Sequence, residues 1–300
     1  NKHVLKSVNW LKKYVNLQNS IMKLSIIAEG GIIRGAYVCG VLKALNDYFG
    51  IKHADFLTGS SSGIMNLAYY ATNQLDYGYK IWTKEIPKGL SLSFKNPFLG
   101  YPIINLEYVI DYVFRDRYPL NLRKIKSSKT KLIVPLTSMK TGKVTYLDNH
   151  SKFDFLEIVK ATTAIPLPLL YGKTISLGND SYFDGSLTDP LPIDIPGIKN
   201  SRKIIILTKT DESRKPRIER FLLTLLKWKL DHNVFSAFEN SHMIYQKRIS
   251  QIKSLVLNGD IVISPLIPIS RFNNSPKTIV NIINQGYNDT VSNDKLNELF

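Results

Sequence analysis

Apolar residues recur along the chain with two different spacings, and the alternation between them predicts most of the elements. KLSIIAEGG, residues 23–31, is a short β-branched apolar run ending in glycines, the pattern of a buried strand entering a tight loop. Over residues 35–49 the spacing changes: Val38, Val41, Leu42 and Leu45 hold one helical face, and Gly50 is the expected terminator. FLTGSSSG then repeats the strand and turn, and IMNLAYYATNQ predicts the next helix. Two strand-loop-helix units in quick succession predict an α/β fold, with three α/β/α layers around a central, mostly parallel sheet.

Residues 80–120 are aromatic and broken by Pro and Gly, with a helical stretch expected over 106–114 at the border of a pocket. KTKLIVPLTSMKTGKVTYLDN predicts two strands joined through Thr141-Gly142. A short helix over 155–161, a Pro-rich loop, a sharp turn at Asp184-Gly185 and an apolar strand from Lys203 follow. Beyond about Lys215, RIERFLLTLLKWKLDH and residues 235–250 predict helices, DIVISPL a strand, and GYNDTVSNDKLNEL a final helix. There is no internal repeat and no clean linker, so residues 23–300 are expected to form one domain with a helical C-terminal extension. Before it, residues 1–22 carry Val4, Val8, Leu11 and Val15 at steps of three and four among lysines, which predicts an amphipathic helix, packed on the core in preference to lying on a membrane surface.

Charge adds a partner class. The 40 Lys+Arg outnumber the 24 Asp+Glu, for a formal net charge of +16, which favours anionic partners such as phospholipid headgroups or nucleic acid. Most of the basic residues are lysines in an Asn- and Ile-rich chain, a mixture that biased genomic composition produces without a selected partner. No Arg-rich run, zinc-finger spacing or aromatic RNA-binding signature occurs, so nucleic acid is not expected. The single Cys39 rules out an internal disulfide, and no His/Cys spacing suits a metal, so neither metal nor cofactor is expected. No run of about 18 apolar residues could span a bilayer. The basic start lacks the apolar region of a secretory signal. The expected location is cytoplasmic, with peripheral contact at an anionic membrane, and the natural N-terminus can lie upstream of Asn1.

The chemistry centres on GSSSG, residues 59–63. It fits G-x-S-x-G, in which the middle serine, Ser61, sits on a tight strand-to-helix turn that offers its hydroxyl to substrate. Alone, the pentapeptide is better described as a flexible polar turn. A serine hydrolase also needs a base and donors for the oxyanion. In EGGIIRG, Gly30 and Gly31 lie between a strand and a helix N-terminus, where backbone N–H groups favour negative charge. The N–H of Ser62, next after the nucleophile, is the usual second contributor. The spacing fits neither G-x-G-x-x-G nor a P-loop. Arg34 either contacts a substrate phosphate or caps local carbonyls. For the base, His232 and His242 have the chain order of an α/β-hydrolase but fall within helical pattern. Asp184, in an Asp-Gly turn, can aim a carboxylate at the sheet edge where open α/β folds place their sites.

Taken together, Gly-Gly and Arg-Gly after the first strand, G-x-S-x-G after the second and the distant Asp-Gly resemble the patatin-like phospholipase family. ATTAIPLPLL, SMKTGKVTYL, GDIVISPLIPISRF and QGYNDT extend the resemblance over about residues 23–290. The resemblance implies a lipid acyl hydrolase of phospholipase A or lysophospholipase type acting on phospholipid or other acyl esters. It implies Ser61 as nucleophile, Asp184 as general base without histidine, and the N–H groups of Gly30, Gly31 and Ile32 as the oxyanion hole. Ile32 stands where the family usually has a third glycine, and Ser186 where Gly or Ala often follows Asp-Gly. Two alternatives stay open: an esterase with a His base, and a lipid-binding homologue weak in catalysis. Residues 94–101 and 221–228 are candidates for an acyl groove or for membrane contact.

Overall fold

The computed structural model describes residues 22–168, 170–210 and 227–299. The expected N-terminal helix and most of the segment 217–232 lie outside the described residues. The strands are β1 (Leu24–Ala28), β2 (Phe56–Gly59), β3 (Lys131–Ser138), β4 (Val144–Asp148), β5 (Ile175–Leu177), β6 (Asp180–Asp184), β7 (Arg202–Ile206) and β8 (Ile261–Ile263). They form one sheet in the order β5-β6-β3-β2-β1-β7-β8, with β4 paired to β3 off this path. Pairing is parallel between β1 and β2, β1 and β7, β2 and β3, and β7 and β8. It is antiparallel among β3, β4, β5 and β6.

The main helices are α1 (Gly35–Asp47), α2 (Ser62–Ala71), α3 (Phe155–Thr163), α4 (His232–Leu257) and α5 (Pro276–Val291). Successive strand residues point to opposite faces, and the core divides accordingly. Ile26 of β1 joins the cluster built with α1, α2, α3 and α5. Its neighbour Ile27 joins the cluster that includes Tyr245, Ile249 and Ile252 of α4. Both faces are covered, which is the three-layer α/β/α arrangement. The buried apolar runs Ile26-Ile27-Ala28 of β1 and Ile204-Ile205-Ile206 of β7 suit a sheet covered on both sides.

Register explains how two residues far apart in sequence meet. Ile133 of β3 pairs with both Thr58 of β2 and Asp148 of β4, and Leu136 pairs with both Asp184 of β6 and Thr145 of β4. A strand has two edges, so β2 and β6 share the edge opposite β4. β2 runs along the first half of that edge, antiparallel β6 along the second, and their ends converge near Pro135. The turn after β2 carries Ser61, and β6 ends at Asp184.

Two segments of the excursion between α2 and β3, Ile81–Glu85 and Glu107–Arg117, are wide-turned π-helices. The second matches the helix expected over 106–114, although its wider winding is not written in the apolar spacing. In the C-terminal half, β8 pairs with β7 and adds a strand at the edge of the sheet. The final helical pattern begins earlier, at Pro276, where Ser275 Oγ accepts from the Thr278 N–H, and it breaks after Val291.

Candidate active site

Ser61 lies at the N-terminus of α2 with φ 51° and ψ −133°. A non-glycine residue in this region is strained, at a cost of about 1–3 kcal/mol, and such residues cluster at functional sites. The flanking glycines let the strain persist. A Cβ on Gly59 would sit 2.5 Å from the Ala28 carbonyl oxygen, and one on Gly63 would sit 2.4 Å from the same atom. The two glycines therefore bring the turn against the end of β1. The Gly63 N–H closes the turn on the Ser60 carbonyl at 2.9 Å.

The loop after β1 lies directly beside it. A Cβ on Gly30 would meet the Ser60 carbonyl oxygen at 2.8 Å and Ser61 Cβ at 2.9 Å. Two contacts tie the turns together: the Gly31 N–H donates to Ser62 Oγ at 3.1 Å, and Asn66 Nδ2 donates to the carbonyls of Ser62 (2.7 Å) and Gly35 (3.0 Å). Trp82 Nε1 in turn donates to Asn66 Oδ1 at 2.9 Å. The Gly31 N–H is engaged by Ser62 Oγ, whereas the N–H groups of Gly30, Ile32 and Ser62 are among the loop donors that make no hydrogen bond within the described residues. Ile32 keeps a left-handed backbone, φ 57°, the conformation that a glycine at this position would hold without strain.

Asp184 closes the opposite side. Its Oδ1 accepts from the Ser186 N–H at 2.8 Å, and its own N–H donates to the Ala164 carbonyl at 2.9 Å. Burial pushes the carboxyl up to about 6, against the smaller opposing effects of the Ser186 hydrogen bonds and the Arg271 charge. Among the described residues no hydrogen bond joins Ser61 Oγ to Asp184 directly, although both face one cavity.

That cavity, about 410 Å³, is walled by Glu29, Gly30, Gly31, Ile32, Arg34, Ser61, Asp184, Lys209, His242, Tyr245, Arg271 and Phe272, among others. It is the more polar of the two cavities that Ser61 borders, with apolar surface between charges of both signs. Glu29 is buried, and its carboxylate takes the Thr208 N–H at 2.7 Å and Lys209 Nζ at 3.0 Å. Burial alone would raise the Glu29 carboxyl, but Lys209, Arg34 and the Thr208 N–H hold it below its ordinary range. Lys209 Nζ also lies 3.6 Å from the centroid of the Tyr245 ring. Arg34 faces this cavity.

On its other side Ser61 borders a second cavity of about 70 Å³. Its walls include Ile32, Ile33, Met65, Trp82, Ile86, Leu92, Ile104, Leu106, Val109 and Ile165 and are almost wholly apolar. Trp82 and Val109 come from the two π-helices, whose extra residue per turn is a frequent mark of functional sites. Ser61 and Ile32 stand at the boundary, lining both spaces.

Gly30, Gly31, Ile32, Arg34, Ser61, Ser62 and Asp184 each line one or both of these cavities. Of the two histidines, His242 of α4 reaches the polar cavity, whereas His232 opens the same helix, exposed and outside it. Sequence reasoning missed Glu29, Lys209, Arg271 and Asn66. Only Asn66 left a signal, as a polar residue inside an otherwise apolar helical pattern. Of the two segments suggested for an acyl groove, residues 94–101 do not line the apolar cavity, and residues 221–226 lie outside the described residues.

The patatin-like phospholipase family matches residues 26–196, a span that holds the glycine loop, Ser61 and Asp184. YjjU, an uncharacterized protein of Escherichia coli strain K12, is 22% identical over 211 residues, which are 69% of this chain. The aligned region spans 57% of the length of that relative. VipD from Legionella pneumophila, a crystal structure, aligns over 92% of this chain and 67% of its own, at 13% identity and a TM-score of 0.49. With more than half of its length matched and both strand-to-helix turns inside the match, the chain belongs to the patatin-like phospholipase family.

Proposed function

We propose that the protein is a serine-dependent acyl hydrolase of phospholipase A or lysophospholipase type, with Ser61 as nucleophile and Asp184 as general base. Family membership supports a lipid acyl hydrolase in general; the dyad and the subtype are our reading of the site. The observation that carries it is the position of Ser61, strained into the wall between a polar and an apolar cavity, with a proton-accepting carboxyl on the same polar wall.

In this reading the ester straddles Ser61, with the carbonyl end of the fatty acyl chain entering the apolar cavity and the headgroup side in the polar one. Ser61 Oγ attacks the ester carbonyl carbon while its proton passes to Asp184, a transfer for which the Ser61–Asp184 contact tightens when substrate binds. The oxyanion rests on the N–H groups of Gly30, Ile32 and Ser62. Collapse breaks the bond to the alcohol oxygen, which leaves with the proton from Asp184. Water then attacks the acyl-enzyme, Asp184 takes its proton, and the fatty acid departs as Ser61 is reprotonated. Arg34, Lys209 and Arg271 give the polar cavity the charge to favour an anionic headgroup.

The test is mass-spectrometric analysis of products from a mixed lipid extract. Free fatty acid released by the wild type and not by Ser61→Ala supports the reading; equal release by both contradicts it. A second reading, an esterase using His242, is favoured by the place of that residue in the cavity wall. Under it, His242→Ala abolishes turnover and Asp184→Asn does not.

A further inference from the structure

Between the two π-helices the chain leaves the body of the fold and returns. Leu92 and Ile104 pair as an antiparallel bridge at the base of this protrusion, and both line the apolar cavity. Its far end is apolar and in water. Phe98 is 90% exposed, Leu99 69%, Phe94 61% and Tyr101 56%. Singly exposed apolar side chains are ordinary, but four within eight residues form a patch that calls for an explanation.

The protrusion is held in shape. Buried Asn96 donates through Nδ2 to the carbonyls of Leu90 (3.4 Å) and Pro102 (3.3 Å). The N–H groups of Ser93 and Tyr101 donate to the carbonyls of Ile103 (3.0 Å) and Asn96 (3.0 Å). Asn274 Nδ2 fastens the base through the Leu92 carbonyl at 2.9 Å. Phe94 packs on Phe272 with ring centroids 5.6 Å apart, and Phe272 is itself on the wall of the polar cavity. The protrusion thus adjoins both cavities: its base lines the apolar one, and Phe94 touches a wall residue of the polar one. Residues 86–106 contain no Asp or Glu, and although Lys88 is paired with Glu85 at 2.7 Å, Lys95 adds a positive charge beside the apolar tip.

We propose that residues 94–101 are an interfacial anchor that docks the protein on an anionic phospholipid bilayer and sets the two cavities facing it. Phe98 and Leu99 enter the acyl boundary, Phe94 and Tyr101 lie at headgroup depth, and Lys95 meets the anionic surface. A lipid drawn up beside the anchor then has a short path past Leu92 and Ile104 to Ser61. The inference rests on the lipid acyl hydrolase reading for its purpose but not for its test.

The test uses the full chain, the double variant Phe98→Ser with Leu99→Ser, and vesicles of phosphatidylcholine and phosphatidylglycerol in equal parts. Because both side chains are in water, the variant keeps its fold. Vesicle binding by sedimentation is expected to weaken by roughly tenfold per side chain, while hydrolysis of the soluble ester 4-nitrophenyl butyrate is unchanged. Phe98→Trp is expected to retain binding and to add blue-shifted indole emission when vesicles are present. Wild-type vesicle binding by the double variant overturns the proposal, as does a Phe98→Trp variant whose added emission is indifferent to vesicles. So does loss of a wild-type dimer with vesicle binding intact, which would make the patch a contact between copies of this chain. Should no form hydrolyse the soluble ester while the binding contrast persists, the catalytic reading fails and the anchor stands.

Discussion

The two strand-to-helix turns at the site, residues 29–35 and 59–63, are built alike and used differently. Each follows a parallel strand, each precedes a helix, and each holds a non-glycine residue at positive φ, Ile32 at 57° and Ser61 at 51°. In the proposed mechanism the first contributes backbone and the second a side chain. On that reading room and N–H direction matter in the first turn, so side chains that leave the backbone in place are exchangeable. In the second, the proposed reagent is the hydroxyl, which the strained backbone would present.

The contrast predicts a graded series. Ser61→Ala removes the reagent and is expected to lower kcat by about 10⁴-fold or more, with little change in the unfolding midpoint because the backbone strain remains. Asp184→Asn keeps the acceptor for the Ser186 N–H and removes the base, for an expected loss of about 10³–10⁴-fold. Stability should respond in the opposite sense. The native carboxyl holds its proton up to about pH 6, whereas an unfolded one releases it near 3.8. The native state therefore binds more protons across that window, and stability falls as pH rises through it, by about 3 kcal/mol in full above pH 6. Asp184→Asn abolishes this cost, so thermal unfolding at neutral pH should shift upward while the wild type and variant converge near about pH 4.

Gly30→Ala comes next. Its methyl group would press on the Ser60 carbonyl and Ser61 Cβ, both closer than 3.0 Å, and neither can yield without moving the nucleophile. A loss of about 10²–10³-fold in kcat/KM is expected, the size of a misplaced oxyanion donor. Ile32→Gly closes the series. Glycine adopts the same left-handed backbone with less strain, so the N–H keeps its direction and kcat should stay within about tenfold of wild type. A hundredfold loss there would mean that the Ile32 side chain, and not its backbone, is what the turn contributes.

The difference between the turns also marks where sequence stops being informative. GSSSG, EGGIIRG and Asp184-Gly185 are legible because each motif is local: tight turns demand glycine, and the apolar strands before them alternate with helical spacing. The convergence of β2 and β6 on one edge of β3 is not legible, since no spacing records which edge a strand takes. Glu29, Lys209 and Arg271 escape for a related reason. Each is an ordinary charged residue beside an expected element, and only the sheet order brings β1 and β7 together so that Lys209 reaches Glu29. The π-helices escape because their wider winding leaves no mark in the apolar spacing. His242 reads as one more position in a helical pattern, yet its helix presents it to the cavity.

The central claim is that Ser61 is the nucleophile and that Asp184 activates it. Labelling with a fluorophosphonate probe, followed by peptide mass spectrometry across a pH series, tests both parts at once. The predicted result is one adduct on the peptide containing Ser61, forming faster as pH rises through about 6, slowed by Asp184→Asn and unaffected by His242→Ala. An adduct at another residue, or labelling abolished by His242→Ala and untouched by Asp184→Asn, would contradict the account.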